Sequence, residues 1–381
     1  MINKIRKPIL DKDDEEKTSA SISDKNYYKD LEKMNEFLKQ NYSKFTEDFE
    51  LVNYINSGNA GIVYEGRTKR GKQKKIALKF QIEDRKEKET QEINILRRLH
   101  NKNITEIYAY IKMNDYSNFC VLELGNYGDL SNFQKVLLKK KFLSETLINY
   151  FAKQILEALN YIHRCKIVHM DIKQGNILLN SELSIKLTDF SVSCYYGAFN
   201  AGDTVKFPLV GTRKYMSPEI LGRTHMKIKD AEKIDIYSLG ITLYNLAFDT
   251  FPYNLNETKA KDYDNTLKNI KNEKLVFPEA HKASEIFKDF LRGLLEKDFN
   301  KRFNIRKALN HPFIVGSKII FDEKENISNN ESFLIKLITD NIPKFNEYIK
   351  KTKNISKQWN NSKIKKNPLF LKFIFQIVLF T

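Results

Sequence analysis

The chain has 381 residues, and 41% of them are hydrophobic, which is enough to bury a large core. The formal net charge is +17, an excess that suits nucleic acid, anionic membranes or acidic partners. Because lysine and asparagine occur throughout rather than in one aromatic-interleaved patch, general lysine-rich usage is the favoured explanation. A nucleic-acid partner is therefore not expected.

The three cysteines, Cys120, Cys165 and Cys194, form no C-x-x-C pair. Their odd number fits a reducing compartment and implies no metal site. Met1–Glu16 is charged and lacks the apolar core of a secretory signal, and Met1-Ile2 excludes N-myristoylation. The expected location is the cytoplasm, with the nucleus as the alternative.

The N-terminal segment divides into two parts. Residues 1–25 are polar and charged and are expected to be disordered, because they bury too little apolar surface to offset the ordering entropy. Residues 26–48 are expected to form an amphipathic helical extension that packs on the next domain; partner binding is the less favoured alternative. The apolar positions at helical spacing are Tyr28, Leu31, Met34, Phe37 and Leu38, between Tyr27 and Tyr42.

A strand, a turn and a second strand are predicted for residues 49–64. Phe49–Ile55 and Ile62–Tyr64 are the strands, and Asn56–Gly61 joins them. Backbone N–H groups in such a glycine-containing turn can approach phosphate oxygens without interference from Cβ, although a simple hairpin turn has the same composition.

Lys75–Phe80 is a third apolar strand, and Lys79 lies in its interior. A helix is predicted from about Glu87 to His100. It carries two acids that could pair with Lys79: Glu92, which is favoured, and Glu89, which is the alternative. Phe119–Gly125 is a further strand. A long amphipathic helix from Leu143 to His163 repeats apolar residues at three- to four-residue spacing: Leu147, Phe151, Ile155, Leu159 and Ile162.

Polar side chains then appear within apolar surroundings. Ile167–Leu179 contains Asp171, Lys173 and Asn176, and Lys186–Ser191 contains Asp189. Buried backbone can make these few side chains converge on a metal and a phosphate. The two stretches resemble the catalytic and metal-binding loops of eukaryotic-type protein kinases, H-R-D-x-K-x-x-N followed by D-F-G.

The resemblance covers residues 49–314 and implies an α+β, two-lobed, protein-kinase-like fold. The small lobe, 49–124, would be an antiparallel β-sheet with one helix, and the large lobe, 125–314, would be mostly helical. Residues 315–381 would be a lysine-rich C-terminal extension with an apolar end.

The implied activity is ATP-dependent phosphorylation of serine and threonine hydroxyls on protein substrates. Asp171 would accept the proton of the substrate hydroxyl, and Lys173 would neutralise charge on the γ-phosphate. Asn176 and Asp189 would bind Mg²⁺, with Mn²⁺ as the alternative. The position of Lys173, two residues after Asp171, resembles the pattern of the serine/threonine kinases and not that of the tyrosine kinases.

The resemblance also assigns nucleotide contacts. Lys79, paired with Glu92, would reach the α- and β-phosphates. Leu122 would be the gatekeeper, and the backbone of Glu123 and Gly125 would bind adenine. Asp129 would lie near the ribose, although Gly-Asp can instead cap a helix. The other implied nucleotide-binding residues are Ser57, Gly58, Asn59, Ala60, Gly61, Val63, Ala77 and Leu178.

Asp189–Glu219 resembles an activation segment that ends at Ser217-Pro218-Glu219. Thr212 is expected to hydrogen-bond near Asp171 and Lys173, Asp235 to cap the catalytic-loop backbone, and Arg302 to pair with Glu219. Asn245 stands where arginine-directed kinases often have glutamate, which argues against strong basic selectivity. Exposed loops commonly contain hydroxyls, and the candidate phosphorylation sites here are Ser193, Tyr195, Tyr196 and Thr204.

Three of the departures from the family pattern bear on activity. Asn56 replaces the first loop glycine, Met170 the arginine of H-R-D and Ser191 the glycine of D-F-G. Met170 predicts that activity does not depend strongly on loop phosphorylation through that contact. Ser191 adds a Cβ that would bias the loop of Asp189 toward one conformation. These departures motivate one alternative function, a pseudokinase that acts as a nucleotide-binding scaffold.

The C-terminal extension carries only lysines as charged residues from Lys350 onward. Leu369–Phe380 is apolar but too short for a membrane span and is interrupted by Lys372. The favoured interpretations of this segment are docking on the large lobe and an incomplete chain end. Contact with an anionic membrane surface is a less favoured alternative.

Overall fold

The computed structural model describes residues 30–58, 61–82, 91–113, 117–138, 143, 145–180, 184–253, 262–279 and 283–315. The predictions for residues 1–25, for Asn59, Ala60 and Glu89, and for the chain after Val315 fall outside these ranges. None of the helices in these ranges combines the length and the apolar composition of a membrane span.

The small lobe is built on an antiparallel sheet of five strands in the order β1-β2-β3-β5-β4. The register places Lys79 of β3 between Val63 of β2 and Cys120 of β5, so the interior lysine lies at the centre of the sheet. The strands are β1 Phe49–Gly58, β2 Gly61–Thr68, β3 Lys75–Ile82, β4 Ile107–Lys112 and β5 Ser117–Leu122.

Two helices, α1 Leu31–Asn41 and α2 Ser43–Asp48, cover one face of this sheet. Asp30 caps α1 by accepting the backbone N–H groups of Glu32 and Lys33. Met34 and Leu38 are fully buried, and Phe45 stacks on Phe119 of β5 with ring centroids 4.6 Å apart. The predicted packing of the N-terminal helix on the following domain is confirmed; the predicted residues 26–29 lie outside the described ranges, and α1 ends at Asn41, one residue before the predicted Tyr42.

The other face of the sheet contacts α3, Gln91–Leu96, and shares one apolar core with the large lobe. The predicted helix from Glu87 to His100 needs correction at its end: Arg97 and Arg98 form a turn, and His100 lies outside the helix. Within α3, Glu92, Ile93 and Leu96 are buried. The buried Ile93 and Leu96 hold this described part of the helix against the core.

Helices dominate the large lobe, and the predicted α+β arrangement of two lobes is confirmed. The long α5 spans Glu145–Arg164 where Leu143–His163 was predicted, and its five predicted apolar positions are buried. The large-lobe helices are α4 Leu130–Leu138, α5, α6 Pro218–Leu221, α7 Lys233–Phe248, α8 Tyr263–Asn272, α9 Glu285–Leu294, α10 Ile305–Leu309 and α11 Pro312–Val315.

Short two-stranded ribbons position the polar stretches between these helices. The pairs are β6 Ile167–Val168 with β9 Cys194–Tyr195, β7 Ile177–Leu179 with β8 Ile185–Leu187, and β10 Thr204–Val205 with β11 Met226–Lys227. Because the ribbons are antiparallel, they bring the segment of Asp171 beside the segment of Asp189.

Candidate active site

A buried cation lies between two carboxylates at the junction of the lobes. Lys79 Nζ is 2.7 Å from Glu92 Oε1 and 2.8 Å from Oε2, and 3.3 Å from Asp189 Oδ1. The Lys79 and Glu92 side chains are only 7% and 4% exposed, whereas that of Asp189 is 27% exposed. The predicted Lys79–Glu92 ion pair is therefore confirmed.

The charges in this group depend on one another. Burial alone lowers the pKa of Lys79, but the carboxylates of Glu92 and Asp189 outweigh it and raise the pKa above its usual value. Burial raises the pKa of Asp189, but Lys79 and a hydrogen bond from Ser191 lower it overall. Lys79 therefore stays protonated and Asp189 ionised at neutral pH.

Asp171 is held at both carboxylate oxygens. Its Oδ1 accepts the backbone N–H of Thr212 at 2.7 Å, and its Oδ2 accepts from Lys173 Nζ at 2.6 Å and Asn176 Nδ2 at 3.0 Å. Lys173 also donates to Thr212 Oγ1 at 2.7 Å. The predicted contact of Thr212 with Asp171 and Lys173 is confirmed, and these four residues form one cluster.

Asp235 fixes the backbone that presents Asp171. Its carboxylate accepts the backbone N–H groups of His169 and Met170 at 2.8 and 2.9 Å and lies 2.8 Å from His163 Nε2. The predicted capping role of Asp235 is confirmed. Met170 and Asp189 have positive φ angles of 70° and 64°, and such left-handed conformations persist where surrounding contacts over-determine them.

A second group of predicted residues lies around the end of β5, where the chain passes from the small lobe to the large lobe. Ala77 lies directly across the sheet from Leu122. A Cβ on Gly125 would stand 2.8 Å from the Cβ of Leu178, so only glycine permits this close approach. Asp129 forms a bridge with Leu178, and its carboxylate accepts from the backbone and side chain of Asn132 at the start of α4. The capping alternative for Asp129 is thus confirmed, whereas its ribose contact stays a prediction.

The glycine-containing hairpin closes between Gly58 and Gly61, which are paired in the register of β1 and β2. Asn56 Oδ1 accepts the backbone N–H of Ser57 at 2.8 Å, and Ser57 Oγ accepts from Tyr54. Val63 lies opposite Lys79. Asn56, at the position of the first family glycine, therefore makes a local hydrogen bond within the strand.

The other two departures have specific surroundings. The Met170 side chain is buried in the apolar core, so it fills space in place of a cation. Ser191 is exposed, does not have a positive φ, and hydrogen-bonds Asp189. The predicted effect of Ser191 on the conformation of the Asp189 loop stays a prediction. In this structure the side-chain group of Ser191 that contacts Asp189 is the hydroxyl.

The activation segment is anchored by neutral groups. Ser193 Oγ donates to the His169 carbonyl at 3.1 Å, and Tyr196 Oη donates to the His163 carbonyl at 3.2 Å. Both side chains are buried, whereas Tyr195 and Thr204 are exposed. Of the four candidate phosphorylation sites, only Tyr195 and Thr204 present accessible hydroxyls in this conformation.

Two glutamines near the centre of the site were not predicted from the sequence. Gln81 Nε2 lies 3.0 Å from Glu92 Oε2, and Gln91 Nε2 donates to the Ser193 carbonyl at 2.7 Å. Neither glutamine belongs to one of the motifs that identified the site, so motif matching did not find them. The one available clue is that Gln81 lies two residues after Lys79, on the same face of β3.

A lysine–glutamate pair beneath a glycine-containing hairpin, with two aspartates and an asparagine at the lobe junction, is the arrangement of the eukaryotic-type protein kinases. The profile of the protein kinase domain matches residues 49–314. The chain belongs to this family.

Curated relatives are kinases by name. The chain is 30% identical to the probable serine/threonine-protein kinase fhkA of Dictyostelium discoideum, over 70% of this chain and 50% of that protein. It is 32% identical to death-associated protein kinase 2 of Homo sapiens, over 75% of this chain and 74% of the relative. For the serine/threonine-protein kinase TIO of Arabidopsis thaliana, the match is 30% and spans only 19% of the relative. The chain therefore covers half or less of some relatives, which contain further sequence.

Proposed function

We propose that the chain is an active serine/threonine protein kinase, which transfers the γ-phosphoryl group of Mg-ATP to hydroxyls of protein substrates. The observation that carries the proposal is the position of the Lys79 ammonium, which contacts Glu92 and Asp189 together. In this arrangement Lys79 lies between α3 and the segment of Asp189, and Glu92 anchors it from α3. Phosphoryl transfer requires such positioning and charge neutralisation more than covalent chemistry.

Asp171 is the proposed acceptor for the proton of the substrate hydroxyl. The three donors around its carboxylate fix its orientation, and its side chain is only 8% exposed. Lys173 supplies a positive charge beside it, where the transferred group would pass. Thr212 holds both residues, since its N–H contacts Asp171 and its hydroxyl contacts Lys173.

The residues proposed to hold Mg²⁺ fit that ion. Asn176 Nδ2 donates to the Asp171 carbonyl and carboxylate, which leaves its Oδ1 as an acceptor, and its backbone carbonyl accepts the N–H of Thr188, the residue before Asp189. Among the described residues, no group of three or more His, Cys, Asp and Glu side chains is arranged to hold a metal. Mg²⁺ commonly uses one or two protein oxygens and completes its coordination with phosphates and water. Bound there, it would neutralise phosphate charge.

Phosphate incorporation from labelled ATP into generic protein substrates and the chain itself tests this proposal. Wild type, Asp171→Asn and Asp289→Asn are compared, because Asp289 is an exposed aspartate on α9. We expect transfer by wild type and Asp289→Asn and a loss of about 100-fold or more in Asp171→Asn. We expect the Mg-ATP-induced rise in melting temperature to persist in Asp171→Asn and to shrink in Asp189→Ala.

The pseudokinase alternative predicts a different pair of results. Folded wild type would incorporate no phosphate with Mg²⁺ or Mn²⁺, yet would still gain thermal stability from Mg-ATP. That outcome would overturn the proposed activity and assign a nucleotide-dependent binding function instead.

A further inference from the structure

A buried polar network surrounds the Lys79–Glu92 pair on one face of the small-lobe sheet. Lys79 and Gln81 are two residues apart on β3, and they lie directly opposite Cys120 and Asn118 of β5. Side chains two apart on a strand, and those directly opposite on neighbouring strands, share a face. All four residues are buried.

The amide of Gln81 has a defined orientation in this network. Its Nε2 lies 3.0 Å from Glu92 Oε2, and its Oε1 lies 3.3 Å from Cys120 Sγ. An ionised carboxylate can only accept, so the NH₂ group must face Glu92 and the carbonyl must face the thiol. Gln81 therefore donates to the charged group and accepts from the weak S–H donor.

Glu92 needs such a donor because its cation is shared. Lys79 contacts Asp189 as well as Glu92. The amide of Gln81 is neutral, so its hydrogen bond to Glu92 does not depend on the charge of Asp189. Glu92 is 3% exposed, and a buried carboxylate is stable only when its oxygens are paired. In the described part of α3, Gln91–Leu96, Ile93 and Leu96 are buried beside Glu92, and Gln81 adds a contact to Glu92 from the sheet.

We propose that Gln81 is a positioning residue, which fixes the Glu92 carboxylate from the sheet and thereby keeps Lys79 directed at the nucleotide. This inference deepens the proposed kinase function and rests on it. The proposed role of Gln81 involves no contact with substrate or nucleotide. It acts through Glu92, and that dependence can be measured.

A double-mutant cycle tests the dependence. Gln81→Met keeps the side-chain length but removes both polar groups, and it is made in wild type and in Glu92→Gln. A hydrogen bond to a buried charge predicts a loss of about 10-fold to 100-fold in kcat/KM for ATP in wild type. In the Glu92→Gln background we expect a loss of less than about threefold, because the charged partner is already absent. Equal losses in the two backgrounds would overturn the proposal.

The pH profile of Gln81→Glu gives a second readout, which a purely structural role would not change. Two adjacent buried carboxylates raise the pKa of one of them, so lowering the pH from about 8 to about 6 should protonate one and restore a donor. We expect the activity of the variant relative to wild type to rise as the pH falls. A constant ratio, with the protein folded throughout, would contradict the proposal.

The two proposals can fail separately. If wild type transfers no phosphate, the kinase activity fails, and the same cycle is then run on the ATP-induced shift in melting temperature. If Gln81→Met reduces the ATP-induced shift in the wild-type background but not in the Glu92→Gln background, positioning through Glu92 is still supported. The same shift in all variants would overturn it.

Discussion

The Cα of Gly211 lies against the carbonyl oxygen of Met170, so that a Cβ at residue 211 would stand 2.4 Å from that oxygen. Gly211 has φ +99°, a conformation that disfavours side chains. The next residue, Thr212, donates its N–H to Asp171. The close contact therefore sets the distance between the activation segment and the proposed base.

Gly211→Ala should consequently displace Thr212 from Asp171. We expect kcat to fall by about 10-fold or more with a smaller change in KM for ATP, because the nucleotide contacts lie elsewhere. Gly202→Ala is the matched control in the same segment, since nothing lies within 4 Å of a Cβ there. Steady-state kinetics of both variants decide the matter, and similar losses in the two would refute the relationship.

Activity should not require phosphate on the activation segment. Ser193 and Tyr196 bind backbone carbonyls through neutral hydroxyls, and the side chain at position 170 is apolar and buried. We expect phosphatase-treated protein, checked by intact mass, to retain at least about half of its activity. Tyr196→Phe should cost about 1 kcal/mol of unfolding free energy through the lost hydrogen bond. A large loss of activity after dephosphorylation would contradict this account.

The ion pair between Arg302 and Glu219 should be essential for stability. Its two N–O contacts are 2.6 and 2.9 Å, and the side chains are 0% and 2% exposed. Arg302→Ala leaves a buried carboxylate without its cation and should lower the unfolding free energy by about 3–5 kcal/mol. Lys301→Ala, at a neighbouring side chain that is 76% exposed, should change it by less than about 0.5 kcal/mol. Urea denaturation provides the comparison, and equal effects would be inconsistent with the pair.

Contacts between residues of the family motifs could be predicted from the sequence, because the order of these motifs along the chain identifies the residues. Lys79 with Glu92, Asp235 with the catalytic-loop backbone, and Glu219 with Arg302 all form as expected. Each pair joins residues that the resemblance had already aligned. Such predictions need no knowledge of the intervening loops.

Other features depended on geometry that the sequence does not encode locally. The helix of Glu92 ends at Leu96 and is followed by a turn at Arg97 and Arg98, although the apolar spacing continues to Leu99. The contact of Gln81 with Glu92 requires both the strand register and the position of a separate helix. An amide can pair with almost any polar group, so its partner emerges only after folding.

The exposed face of the β10–β11 ribbon predicts where added negative charge would be stabilising. Thr204 lies directly opposite Lys227, and both side chains are exposed, whereas their neighbours Val205 and Met226 pack on the core. Opposite charges at such a cross-strand pair contribute about 0.2–1 kcal/mol. Thr204→Glu should therefore be more stable than Thr204→Gln by that amount, and the difference should disappear in Lys227→Gln and shrink in high salt. Urea denaturation of the four variants measures the coupling; a difference that persists without Lys227 would exclude this residue as the partner of a phosphate on Thr204.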